Sequence, residues 1–133
     1  MRAIRFALFA LAAGCAALMA QQDATFTAWM KSIGAANGAL RKMETKTGPE
    51  AVGQAERIAG AYEEMIGFWR QRTADDAVKD SVQGKAAAVA LASAANAGDA
   101  DKVATALSTL GGTCKSCHAA HRESLSEGKY RIK

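Results

Sequence analysis

The chain holds a single proline (Pro49), two histidines and three cysteines, and aromatic residues make up 6% of its 133 positions. Runs of β-branched residues and apolar–polar alternation are missing, which argues against a sheet-built domain. Alanine and glycine are abundant, and with one proline they favour a helical bundle. No stretch of Lys and Arg is dense enough to suggest nucleic-acid binding. The apolar run from Phe6 to Ala13 is too short to span a bilayer as a permanent helix. Internal repeats and low-complexity linkers are absent too, so the chain beyond its leader is long enough for one small domain and no more.

The scarce cysteines and histidines are concentrated. Cys114-Lys115-Ser116-Cys117-His118 is a C-x-x-C-H pattern, the signature of c-type haem attachment. Two thiols three positions apart can form thioethers to the two vinyl groups of one porphyrin, and the adjacent imidazole then meets the iron from one face. A lone C-x-x-C also serves thioredoxin-like redox pairs and half zinc sites. The first needs a βαβ context, and the second needs ligands beyond Cys15 and His121, which are the only other cysteine and histidine. One covalently bound haem c with its iron is therefore the expected cofactor. Both remaining cysteines are then committed, and no disulfide is expected.

The start of the chain agrees with the motif. Arg2 and Arg5, the apolar run and the small residues up to Ala20 read as a signal peptide, with residues 21–133 as the mature domain. Export fits a haem attached outside the cytoplasmic membrane, so a periplasmic location is expected. Ala12-Ala13-Gly14-Cys15 resembles a lipobox but lacks the favoured leucine; only lipidation of Cys15 would tether the protein to a membrane. The formal charge of +4 falls to +2 without Arg2 and Arg5, and two haem propionates would bring the holoprotein near neutrality.

Helical periodicity predicts four helices joined by short connections, an all-α antiparallel up-down-up-down bundle. The first spans roughly Asp23 to Lys46, with Phe26, Trp29, Met30, Ile33, Leu40 and Met43 on its apolar stripe and Asp23 as a possible N-cap. Thr47-Gly48-Pro49 ends it. The second spans roughly Glu50 to Arg72. The third spans roughly Asp76 to Asn96, with Val78, Val82, Ala86, Val89 and Ser93 assigned to one face. The fourth begins near Ala100 behind Asp99 as N-cap. On it, Val103, Leu107, Leu110, Cys114, Cys117 and His118 continue one stripe, so the haem motif forms one end of the core. Gly111-Gly112 either breaks this helix or marks a close approach of the porphyrin. His121 lies on nearly the same face as His118 and cannot reach the far side of the iron. Tyr62, Phe68 and Trp69 either line the haem edge or belong to the core.

A signal peptide, four helices and C-x-x-C-H near the C-terminus resemble class II cytochromes c, the cytochrome c′ family. The most specific stretch is Gly112-Thr113-Cys114-Lys115-Ser116-Cys117-His118-Ala119-Ala120-His121-Arg122. The resemblance implies that Arg122, the basic residue four places after the ligand histidine, lies beside the proximal imidazole. It also implies two classes of member. High-spin proteins place an apolar residue over the far face of the iron and bind nitric oxide or carbon monoxide. Low-spin proteins place a methionine there and carry electrons. Ala28-Trp29-Met30-Lys31-Ser32 matches that stretch and puts Met30 at the deciding position. A thioether is a soft ligand that favours ferrous iron, although methionine is also a common core filler. Where family members often carry an arginine near a propionate, this chain has Phe26.

The expected function is single-electron transfer to and from periplasmic redox proteins, with His118 and Met30 as axial ligands and no enzymatic turnover. The alternative is a five-coordinate protein that binds small gases. A homodimer through the Ala/Gly-rich first two helices is compatible with either.

Overall fold

A computed structural model describes residues 2–133, with side chains described from Ala20 onward. The signal-peptide reading of residues 1–20, but for Ala20, and the two fates of Cys15 lie outside the described side chains. Among the described residues, no helix is long and apolar enough to cross a membrane.

Four helices account for the architecture: α1 (Arg2–Lys42), α2 (Pro49–Gln71), α3 (Asp75–Asn96) and α4 (Ala100–His121). Their order around the bundle follows the chain. α1 packs on α2, α2 on α3 and α3 on α4, whereas α1 and α4 share little contact. Asp23 pairs with Arg72 and Phe26 stacks on Phe68 and Trp69, so α1 and α2 run antiparallel. α2 and α4 run parallel: Tyr62 meets Cys114, and seven residues further along each helix Trp69 meets His121.

Two helix starts work as read, at Asp99 and at Pro49. Asp99 caps α4 by accepting from the Lys102 amide at 3.0 Å. Gly48 takes a left-handed φ of 87° ahead of Pro49. Its amide donates to Ala95 O at 2.9 Å, tying the α1–α2 turn to the end of α3. Three expectations are corrected. α1 stops at Lys42 rather than Lys46, so Thr47-Gly48-Pro49 does not end it and Gly48 instead precedes α2 as its N-cap. Asp23 is no N-cap; it lies inside α1, and its carboxylate serves Arg72 instead. Most of the face assigned to α3 points outward: Val82 and Val89 are 46% and 49% exposed, Ala86 and Ser93 are exposed too, and Val78 alone packs half-buried on the core.

The buried face of α3 is Ala77, Ser81, Gly84, Ala88, Leu91 and Ala95. Small residues win here because α3 presses close to its neighbours. A β-carbon at Gly84 would fall within the van der Waals radius of the Tyr62 ring, so bulk on this face is excluded by geometry. The rest of the core is conventional: Leu40, Ile58, Met65, Trp69, Leu91 and Leu110 are its largest fully buried side chains.

α4 runs unbroken through Gly111 and Gly112 to His121. Beyond it the tail does not fray. A two-stranded antiparallel ribbon pairs Arg122–Ser124 (β1) with Tyr130–Ile132 (β2) in the register Arg122↔Ile132. Glu127 and Gly128, at φ 62° and 72°, turn the chain between them. Lys133 N donates to His121 O at 3.1 Å, and the Arg122 guanidinium lies 3.2 Å above the Tyr130 ring.

Candidate haem site

The separation of α1 from α4 leaves a cavity of about 540 Å³, within the range of cofactor pockets. Its walls bring together the five residues assigned to holding the haem: Cys114, Cys117 and His118 on α4, Met30 on α1, and Arg122 at the start of β1.

Heights along the bundle relate these residues. Phe26, Trp69, Asp76 and His121 share one level, fixed by the Phe26–Trp69 and Trp69–His121 ring contacts and by the His121–Asp76 hydrogen bond at 2.9 Å. From that level Met30 is four residues along α1, a rise of about 6 Å, and His118 is three residues back along α4, about 4.5 Å in the same direction. Met30 and His118 therefore lie at nearly equal heights on the two helices that do not pack together. Tyr62, Gly84 and Cys114 share a third level, about 10 Å from the first.

The electrostatics suit a neutral imidazole ligand. Burial, reinforced by the charge of Arg122, holds His118 below the usual histidine range. Arg122 Nη1 is 3.4 Å from His118 Nδ1. Burial pushes the Cys117 thiol up to about 11, with the carboxylate of Asp80 adding to the effect. Tyr62 is driven well above the ordinary phenol range, first by burial and then by its hydrogen bond to Cys114 Sγ at 3.5 Å. Once that sulfur is alkylated it can only accept, which leaves Tyr62 as the donor.

The donor set fits haem c. Two thiols and one neutral imidazole project from one helix, a soft thioether stands on the helix across the cavity, and two buried polar atoms in the wall lack a protein partner among the described residues: Trp69 Nε1 and Ser81 Oγ. A zinc centre does not fit, because no group of three or more His, Cys, Asp or Glu gathers among the described residues. His121 is half-buried and hydrogen-bonded to Asp76. Of the three aromatic candidates on α2, Tyr62 and Trp69 line the cavity, whereas Phe68 faces Phe26 and Trp29 outside it. Phe26 also lines the cavity, where it brings no charge.

The wall contains residues the sequence reading missed. Arg41 lies three helical turns from Met30 on the same face, a spacing that periodicity could have flagged. Asp80 and Ser81 were hidden by the misassigned face of α3. Tyr130, Arg131 and Ile132 reach the wall only because the tail folds back as a ribbon.

Comparison with known proteins converges on one group. A family model described as Cytochrome C′ matches residues 61–122, a span that includes the C-x-x-C-H motif and Arg122 but not Met30. A cytochrome c′ from Pararhodospirillum photometricum is 36% identical over 100 residues, covering 64% of this chain and 80% of that protein. A solved cytochrome c′, described as having an unusual ligand-controlled dimer dissociation, shares the fold with a TM-score of 0.63 at 24% identity; the match covers 85% of this chain and 95% of that one.

Proposed function

The chain belongs to the cytochrome c′ family of covalent haem c proteins, and we propose that this member is an exported single-electron carrier with His118 and Met30 as the axial ligands of its iron. Cys114 and Cys117 supply the two thioether bonds. The observation that carries this reading is the placement of Met30: half-buried, in the wall of the cavity, and level with His118 on the helix that does not pack on α4.

Haem iron, when bound, supplies a one-electron couple. The chain's own residues tune and hold it. A thioether opposite a neutral imidazole favours the reduced state. Ile33, Met65 and Trp69 give the wall an apolar section that lowers the local dielectric, which disfavours the extra charge of the oxidised state. Arg122, beside Nδ1 of His118, removes the usual acceptor from that nitrogen and so limits the electron density the imidazole can give. Two fixed axial groups change little between oxidation states, as a carrier requires. The proposed partners are periplasmic redox proteins, reached after removal of residues 1–20.

Absorption spectra of the haem-loaded protein, oxidised and reduced, with and without carbon monoxide, test this. The expected result is a low-spin spectrum that resists carbon monoxide and turns high-spin in Met30→Ala. A high-spin wild-type spectrum that shifts at once with carbon monoxide would remove Met30 from the ligand set and make gas binding the function.

A further inference from the structure

The Trp69 indole is 2% exposed, lines the haem cavity, and has no hydrogen-bond partner for Nε1 among the described residues. A buried donor without a partner is rare in native proteins and calls for an acceptor. The other unpartnered buried atom in the cavity wall, Ser81 Oγ, is less informative, because a hydroxyl on a helix can rotate to bond the carbonyl one turn back. An indole N–H is donor-only and fixed in direction.

That direction is set from three sides. Phe26 packs edge-on to Trp69 with centroids 5.2 Å apart, Phe68 does so at 5.0 Å, and His121 lies 4.8 Å away. His121 is itself held by Asp76 at 2.9 Å. The donor is thus built into a rigid cluster and does not hang from a mobile side chain.

The acceptor follows from the chemistry of the cofactor. The strong hydrogen-bond acceptors of haem c are its two carboxylates, and these leave the porphyrin from the edge opposite the two thioether positions. Cys114 and Cys117 lie on one side of His118 along α4, and the Trp69–His121 level lies on the other. We propose that the Trp69 indole N–H donates a hydrogen bond to a haem propionate, fixing the carboxylate edge of the cofactor at the Phe26–Trp69–His121 end of the cavity. Phe26 then acts as a positioning residue that holds the indole in place. The proposal rests on haem c itself and not on Met30 as a ligand.

The test is Trp69→Phe in the haem-loaded protein, read by the propionate-bending band in resonance Raman spectra and by the midpoint potential. Loss of the N–H is expected to shift that band. It is also expected to lower the potential, because a carboxylate stripped of its donor stabilises the oxidised iron more strongly. Trp29→Phe, outside the cavity wall, is expected to change neither. An unchanged band and potential in Trp69→Phe would overturn the proposal. If that variant does not fold, benzothienylalanine in place of tryptophan in a Trp29→Phe background keeps the ring shape without the donor, and the same two outcomes apply. The band shift is expected whatever the spin state, so failure here is distinguishable from failure of the Met30 reading.

Discussion

The α2–α3 side of the bundle and the α1–α4 side are built in opposite ways. Between α2 and α3, glycine and alanine let the helices close until a β-carbon at Gly84 would strike Tyr62. Between α1 and α4 the helices stay apart. Gly34 and Gly38 on the cavity wall have nothing within 4 Å of where a β-carbon would stand. Small residues therefore mean two different things in one molecule. On one side they let protein meet protein; on the other they leave open the space proposed for a flat cofactor.

Truncation in the core gives the largest expected contrast. Leu91→Ala, at a fully buried α3 position, should destabilise the protein by about 3 kcal/mol in urea or thermal unfolding. Met30→Ala, at the half-buried cavity wall, should cost well under half of that in a chain prevented from binding haem, so equal losses would break the contrast. Glycine substitutions sharpen it next. Gly84→Ala should destabilise by about 2 kcal/mol through its clash with Tyr62. Gly60→Ala, on the exposed face of α2 with open space around it, should stabilise by about 0.5–1 kcal/mol through helix propensity. The same sign for both would mean that Tyr62 yields readily and that α2 and α3 are not closely locked.

The smallest effect concerns pH. The hydrogen bond from His121 holds the Asp76 carboxyl below its usual range. A depressed carboxyl stabilises the fold above its unfolded-state value, and that contribution fades as pH falls through the lower folded-state value. Asp76→Asn should therefore flatten the acid limb of the stability curve below the ordinary aspartate range and change little at neutral pH. A steeper acid limb in the variant would assign the acid sensitivity elsewhere.

Most of what the sequence announced concerned the tight turns and the motif. Pro49 after Gly48 and Asp99 ahead of α4 each carry a local physical rule and sit where it puts them, and the half-buried C-x-x-C-H faces the cavity beyond the buried Leu110. The haem chemistry was legible for the same reason, since few spacings serve two vinyl groups and one iron ligand. The face of α3 was not, because the reading sought bulky residues where close packing selects small ones. The end ribbon was hidden because three-residue strands carry too few positions for alternation to register. Arg131 and Tyr130 reach the cavity only through that ribbon, so their presence in the wall depends on a long-range fold-back that local pattern does not encode.

The row-like order of the helices has a kinetic consequence. Each extensive helix contact joins sequence neighbours, so the mean separation of contacting residues is low and the bundle is of the class that folds by fast, local steps. The junction of first helix to last is the exception. If iron takes His118 on α4 and Met30 on α1 as proposed above, closing that junction would fall to the prosthetic group, the clasp of an otherwise linear assembly. Stopped-flow refolding of the haem-loaded protein should then show a rapid phase indifferent to residue 30 and a slower one that vanishes in Met30→Ala.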